Sequence, residues 1–203
     1  MSQEATFRGI LGIGLVAVVL ITLYYRLRSW ASKEALDRRQ EGLFMLATLR
    51  PAGLALWLAV IAYLINPRWM AWSSMPVPSW LRWTGVGVYA LGAGLLAWTL
   101  GGLGANLTDT VVTRRAHTLI TNGPYRWVRH PFYDAMVLLS AATSLIAANW
   151  FVFSAGAVVF ALLAVRTRTE EAKLLARFGD EYLAYQRSAG RFLPRLRATD
   201  RHS

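Results

Sequence analysis

Asn122-Gly123-Pro124-Tyr125-Arg126-Trp127-Val128-Arg129-His130-Pro131-Phe132-Tyr133 crowds turn formers, cations and aromatic rings against the mouth of a long apolar segment. Ionisable groups at a bilayer edge are costly unless they are used, so their presence there marks a candidate site. Pro131 suits the first turn of a helix, where its missing N–H would have been an orphan in any case. A helix is therefore expected to start here and run into the apolar stretch. Its start adds backbone donors and partial positive charge to Arg129 and His130, an arrangement suited to an anion. The same residues also fit a cationic anchor for a helix end.

Outward from this stretch, the 203-residue chain is 55% hydrophobic and 16% charged, with a mean hydropathy of +0.35. Such a composition points to an all-α, polytopic integral membrane protein. Apolar runs long enough to cross a bilayer, about 20 residues each, occupy 7–25, 51–72 and 81–104. A further region, 132–165, is apolar for most of its length and is broken near Ala148-Asn149-Trp150, so it reads as two short antiparallel helices. About five transmembrane helices are expected. The first run has only Arg8 as a leading cation and no small-residue cleavage pattern, so it is read as a span and not as a signal peptide.

The formal net charge is +11, which in a soluble protein would suggest nucleic acid. Here 19 of the 22 Lys and Arg residues fall in 26–50, 105–131 and 166–203. Such asymmetry places those segments in the cytoplasm, with the N-terminus outside and the C-terminus inside. The basicity is then a topology signal with affinity for anionic membrane lipids, and no nucleic-acid partner is expected. Trp69, Trp72, Trp80 and Trp83 flank the outer loop as an interfacial belt. There are no cysteines, and His117, His130 and His202 lack metal-ligand spacing, so no metal centre is expected.

Two regions follow: an N-terminal membrane region, 1–104, with three spans and a cytoplasmic connector at about 26–50, and a second region, 105–203. The connector carries a charge cluster (Lys33, Glu34, Asp37, Arg38, Arg39, Glu41) and then an apolar stretch. It reads as a surface helix ended by Pro51 or, equally, as a solvated connector. The glycine-rich third span offers a small face for close helix packing. The second region comprises a polar loop, 105–131, able to fold over the mouth of the bundle, a helical hairpin at 132–166, and an amphipathic cytoplasmic segment, 167–203. Apolar spacing in 166–187, interrupted by Gly179, suggests two short amphipathic helices on the membrane face.

Arg166-Thr167-Arg168-Thr169-Glu170-Glu171 stands at the end of the last span. Arg166 and Glu170 are four apart and share a helix face, where they can pair with each other or with two groups of one ligand. A hairpin brings this cluster to the same end as Arg129 and His130, so the two become one pocket formed by the last two helices and their flanks.

The string His117-Thr118-Leu119-Ile120-Thr121-Asn122-Gly123-Pro124-Tyr125, then Arg129-His130-Pro131-Phe132-Tyr133, Arg166, Glu170-Glu171 and Phe178-Gly179-Asp180-Glu181-Tyr182-Leu183-Ala184-Tyr185 closely resembles the isoprenylcysteine carboxyl methyltransferase family, within a wider group that includes phospholipid methyltransferases and prokaryotic homologues. The likeness covers about 103–194, whereas residues 1–102 agree only in being hydrophobic. It implies a membrane methyltransferase that holds S-adenosylmethionine at the cytoplasmic face and acts on a lipophilic small-molecule or prenylated substrate. Carried over by position, the resemblance implies that His117, Leu119 and Ile120 form a strand at the adenosine end, with Tyr125 as an aromatic wall. Arg129 and His130 face the amino-acid end of the cofactor above Tyr133, Glu170 takes a polar group of the cofactor, and Arg166 orients a substrate carboxylate.

Carboxyl O-methylation fits such a site, because the acid is already ionised at neutral pH and requires alignment more than a base. An amine or hydroxyl acceptor would call on Glu170, Glu171 or His130. Asp134 departs from the family pattern, in which an aliphatic residue is usual, and is expected either to pair with Arg129 or to face the cavity. Two other functions compete: an NADPH-dependent membrane reductase of the sterol type, and a non-enzymatic membrane assembly factor. The short spans and Arg-rich loops suit a bacterial inner membrane with the site facing the cytoplasm.

Overall fold

A computed structural model describes residues 3–30, 45–103 and 118–195. Among them every regular element is helical, and the β-pairing is confined to two isolated bridges, Ser74 with Asn149 and Val128 with Gly190. The main helices are α1 (Gln3–Trp30), α2 (Arg50–Ile65), α3 (Ser79–Leu103), α4 (Pro131–Ala147), α5 (Trp150–Phe178) and α6 (Asp180–Ser188). Four segments are long and apolar enough to cross a membrane: Gln3–Ser29, Ala47–Ile65, Ser79–Leu103 and Trp150–Phe178. The shorter apolar helix Pro131–Ala147 completes the expected five. The charge cluster from Lys33 to Glu41 and most of the polar loop lie outside the described residues.

Large apolar side chains point outward along every long helix, Ile13, Leu91 and Trp80 among them at about 70% exposed. Water would not tolerate so continuous an apolar surface, whereas lipid does. Trp69, Trp72, Trp80 and Trp83 are all exposed and gather at one end, as an interfacial belt requires.

Packing between helices follows the small residues. The most extensive helix pairing is α3 against α4, and it depends on two glycines seven residues apart. A β-carbon on Gly85 would come to 3.0 Å from Cβ of Leu145, and one on Gly92 to 3.1 Å from Cγ of Leu139. Close backbone approach of this kind is how helices gain dispersion energy in a bilayer. Gly87 and Gly94, on the other face of α3, have open space beside them, whereas Gly101 and Gly102 approach the rings of Tyr25 and Tyr125.

The corner between α4 and α5 is built where the sequence breaks. Ala148 adopts the left-handed conformation at φ 48°, and Asn149 caps α5 by accepting from the N–H of Val152 at 3.1 Å. The Asn149 amide nitrogen also donates to the carbonyl of Met70 (3.2 Å) and to Oγ of Ser73 (2.8 Å), tying the corner to the turn Pro67–Ser73. At the same end Arg82, buried on α3, donates from Nε to the carbonyl of Ile146 (2.8 Å), from Nη1 to Glu4 (2.8 Å) and from Nη2 to the Tyr63 hydroxyl (3.2 Å). Its guanidinium lies 4.1 Å from the ring centre of Phe7. Four helices are thus joined through one arginine.

Three expectations need correction. The last crossing is not short: α5 runs unbroken for 29 residues to Phe178, so the first of the two amphipathic helices expected in 166–187 is its continuation. Nothing between 150 and 178 breaks a helix, since there is no proline and the one glycine, Gly156, packs against Ser140. The break comes only at Gly179, with φ 51°. Second, Pro51 does not end a surface helix. It lies in the first turn of α2, preceded by the π-helical turn Met45–Leu49, where a missing N–H is tolerated. Third, 118–120 form no strand: among the described residues the bridges join only Ser74 with Asn149 and Val128 with Gly190.

At about 1.5 Å per residue α4 spans about 25 Å and α5 about 43 Å, against a hydrocarbon core of about 30 Å. α4 is therefore the shorter arm of the hairpin, and the extra turns of α5 pass beyond its start and leave a recess there.

Candidate active site

The recess is lined by residues from three elements. His130 is the residue immediately before α4, with Pro131 in the first turn. The segment 127–130 is held by a short parallel pairing with the C-terminal strap. Gly190 N–H donates to the carbonyl of Trp127 (3.0 Å), Arg129 N–H to the carbonyl of Gly190 (2.8 Å) and His130 N–H to the carbonyl of Arg191 (3.1 Å). Only glycine fits at 190, because a β-carbon there would lie 1.7 Å from the carbonyl oxygen of Leu193. Facing this pairing, α5 presents Arg166, Glu170 and Glu171.

Glu171 is the hub. It is 6% exposed, and its Oε1 accepts from Nε of Arg129 (3.0 Å) and faces Nε2 of His130 at 3.2 Å. Oε2 accepts from Nη2 of Arg191 at 2.5 Å. A carboxylate held by two guanidiniums only accepts, so the contact with His130 is made with Nε2 as the donor. Glu170 forms the second half: its Oε1 accepts from the Tyr133 hydroxyl (2.7 Å) and pairs with Nε of Arg166 (2.9 Å), and Oε2 lies 3.6 Å from Nδ1 of His130. The imidazole stacks parallel to Tyr133 at 5.5 Å, with Phe192 tilted against it at 5.9 Å.

Five of the expected site residues thus converge: Arg129, His130, Tyr133, Arg166 and Glu170. Tyr125 is buried nearby, and its carbonyl accepts from the Tyr185 hydroxyl at 2.7 Å. Burial first, then Tyr185 and the negative charge of Glu170, push the Tyr125 hydroxyl well above its ordinary pKa, so it stays protonated. Leu119 stands apart, packed on Tyr182 and Tyr185; Ile120 is half-buried in the same irregular segment. His117 lies outside the described residues.

Arg129 differs from expectation. It turns to Glu171 and, through Nη1, to the carbonyls of Ala189 (2.6 Å) and Gln186 (3.4 Å), so it closes the C-terminus of α6 where carbonyls lack partners. The first-turn N–H groups of Tyr133 and Asp134 are also engaged, both with the carbonyl of His130. Sequence reasoning overlooked Arg191, whose reach to Glu171 depends on the pairing at Gly190, and it gave Glu171 only a conditional place. The doublet Glu170-Glu171 was the available signal, since adjacent helical residues point in different directions and His130 fits between them.

Two cavities adjoin the cluster. One, of about 430 Å³, is mixed polar and apolar and is lined by Leu119, Thr121, Arg126, Glu181, Tyr185 and Ser188 among others. The other, of about 850 Å³, is almost wholly apolar and lies between α3, α4 and the strap, with Phe192 separating it from His130. Three guanidiniums facing two carboxylates leave the cluster with positive charge to spare, which suits an anionic ligand group.

The family model described as the isoprenylcysteine carboxyl methyltransferase (ICMT) family matches residues 85–176, so the likeness begins within α3, earlier than the motifs alone suggest. The human protein-S-isoprenylcysteine O-methyltransferase is 31% identical over 126 residues, covering 61% of this chain and 44% of that protein. A methanethiol S-methyltransferase from Mycobacterium tuberculosis is 31% identical over 183 residues, covering 89% of this chain and 61% of that one. The N-terminal spans therefore share more with a relative than hydrophobicity. The chain spans about half the length of these relatives. Among solved structures, the eukaryotic intramembrane Ras methyltransferase ICMT matches with a TM-score of 0.56 and 23% identity over 94% of this chain and 75% of that one, a likeness of fold. Through residues 85–176 the chain is similar to the isoprenylcysteine carboxyl methyltransferase family.

Proposed function

We propose that the chain is an integral membrane methyltransferase that uses S-adenosylmethionine to methylate a lipophilic acceptor, with carboxyl O-methylation of an isoprenylcysteine-like or other lipid carboxylate as its reaction. One observation carries this reading: the charged cluster of Arg129, His130, Tyr133, Arg166 and Glu170 shares the Phe192 wall with a large apolar cavity. Polar recognition and apolar recognition thus meet at the recessed end of α4. The basic end is assigned to the cytoplasm, N-terminus out and C-terminus in, from the distribution of Lys and Arg, and a bacterial inner membrane is the proposed setting. In this division of labour 1–104 supplies the membrane scaffold and 105–203 the catalytic region.

The residues present fit the cofactor. Surplus guanidinium charge suits its carboxylate, the partly exposed Glu170 suits its ammonium, and the Tyr185 ring beside the smaller cavity suits an adenine. When bound, the cofactor supplies an electrophilic methyl group on a sulfonium. His130 and Glu170 hold the amino-acid end, and Tyr133 keeps Glu170 aimed by donating to it. Arg166 supplies the planar fork for the acceptor carboxylate, and its Nε is fixed by Glu170. Phe192 and Phe160, 5.4 Å apart, exclude water from the meeting point, where opposite charges neutralise more readily without solvent. Glu171, Arg129 and Arg191 are the frame that keeps His130 in place.

The test is to incubate the purified protein and native lipid extract with methyl-labelled cofactor. A base-labile label in a lipid-soluble product is the expected result, because an ester hydrolyses in base. A base-stable label would move the assignment to a thiol or amine acceptor, and no label in the lipid-soluble fraction would contradict the reading as a whole.

A further inference from the structure

The apolar cavity holds one discordant residue. Leu95, Trp98, Leu138, Phe160 and Phe192 give it a hydrocarbon lining, and Asp134 is the one titratable side chain among the residues that line it. Acids are common in the first turn of a helix, where the dipole favours them, but that accounts for the position of Asp134 along α4 and not for its direction. Its neighbour Tyr133 points to Glu170, whereas Asp134 lies on the cavity side.

Nothing among the described residues neutralises it. Arg129, the cation nearest in sequence, is committed to Glu171 and to the end of α6, so the expected Asp134–Arg129 pair does not form. Arg126 lies over the Trp127 ring at 3.9 Å and lines the other cavity. A carboxylate facing a lipid-lined space without a partner is costly, and the cost is recovered when a ligand brings the partner.

We propose that Asp134 selects an acceptor whose head carries a free ammonium group: the ligand is a single-chain amphiphile whose tail fills the apolar cavity and whose amino nitrogen donates to Asp134. This deepens the proposed function and rests on it for the reacting carboxylate, which is Arg166's share. An amphiphilic amino acid carries both groups, an acid for Arg166 and an ammonium for Asp134. An N-acylated equivalent keeps the tail and the carboxylate but loses the charge that Asp134 attracts.

The matched probes are S-dodecylcysteine and N-acetyl-S-dodecylcysteine, titrated calorimetrically into the full chain in phosphatidylcholine nanodiscs. The free-amine probe is expected to bind about tenfold tighter, the discrimination one charge-assisted hydrogen bond supplies. Asp134→Asn, which keeps the shape, and Asp134→Leu, which keeps only the bulk, are both expected to bring the two probes within about twofold of each other, with helicity by circular dichroism equal to the parent's. Equal affinities in the parent protein, a preference for the N-acetyl probe, no binding of either probe, or a preference that survives both substitutions overturns the proposal. Release of S-adenosylhomocysteine is read in parallel. Preference without release removes the methyltransferase reading and leaves Asp134's role standing, whereas release without preference does the reverse.

Discussion

The two ends of the helix bundle use the same side chains to opposite effect. At the tryptophan-rich end, Arg82 meets Glu4, Tyr63 and the Ile146 carbonyl, the Tyr63 hydroxyl turns to Glu4 at 2.5 Å, and Arg8 donates to the carbonyls of Leu64 and Ile65 that end α2. All three nitrogens of Arg82 donate to the protein and the apolar ring of Phe7 covers its guanidinium, so the cluster is a knot that joins α1, α2, α3 and α4. At the basic end, three guanidiniums share two carboxylates, and cavities open on both sides. Enclosure by packed helices makes a fastener, and charge beside empty apolar volume makes a site.

Substitutions separate the two roles. The largest effect is expected for Glu171→Gln, which strands the buried Arg129 and His130 and releases the exposed Arg191. Breaking a buried ionic group of this kind costs about 3–5 kcal/mol, and thermal unfolding of the purified protein should show it together with loss of S-adenosylhomocysteine binding. Arg82→Leu comes next, at about 2–3 kcal/mol, because Glu4 is half-exposed and can reach solvent. Its unfolding temperature should fall while affinity for S-adenosylhomocysteine in isothermal titration stays at the parent's, and a parallel loss of affinity would break the contrast between the ends.

Gly92→Leu tests the scaffold that both ends share. Overpacking against Leu138 and Leu139 should cost about 1–3 kcal/mol, read as a lower unfolding temperature. Arg166→Lys sharpens the site: an ammonium is no planar fork, so turnover should fall about tenfold, equivalent to about 1.4 kcal/mol, with cofactor affinity kept. Activity equal to the parent's would remove Arg166 from its orienting role. The smallest effect, about 1 kcal/mol of stability, belongs to Tyr185→Phe, which deletes one hydrogen bond to the Tyr125 carbonyl.

The same contrast explains what the amino-acid order could disclose. The crossings, the corner at Asn149 and the convergence of His130 with Glu170 were legible, because apolar runs, caps and i,i+4 spacing are local features. The Arg82 knot was not, for its partners at 4, 63 and 146 are joined only by packing. Arg191 was hidden for the same reason. Its contact requires a strap that pairs with 127–130 across some 60 residues, and only the close approach at Gly190 hinted at it. Arg129 was read as a ligand group from its charge and position, yet an arginine near exposed helix carbonyls serves them equally well. The continuity of α5 is not visible in the composition, because apolar residues give way to charged ones near Arg166 while nothing there breaks the helix.

Isothermal titration with S-adenosylhomocysteine decides the matter most directly, with the parent protein, His130→Ala, Glu170→Ala and Arg82→Leu measured side by side. Saturable binding to the parent and to Arg82→Leu, with affinity weakened about tenfold or more in both His130→Ala and Glu170→Ala, is the predicted result. No binding to the parent, or undiminished affinity in both site variants, would contradict the account.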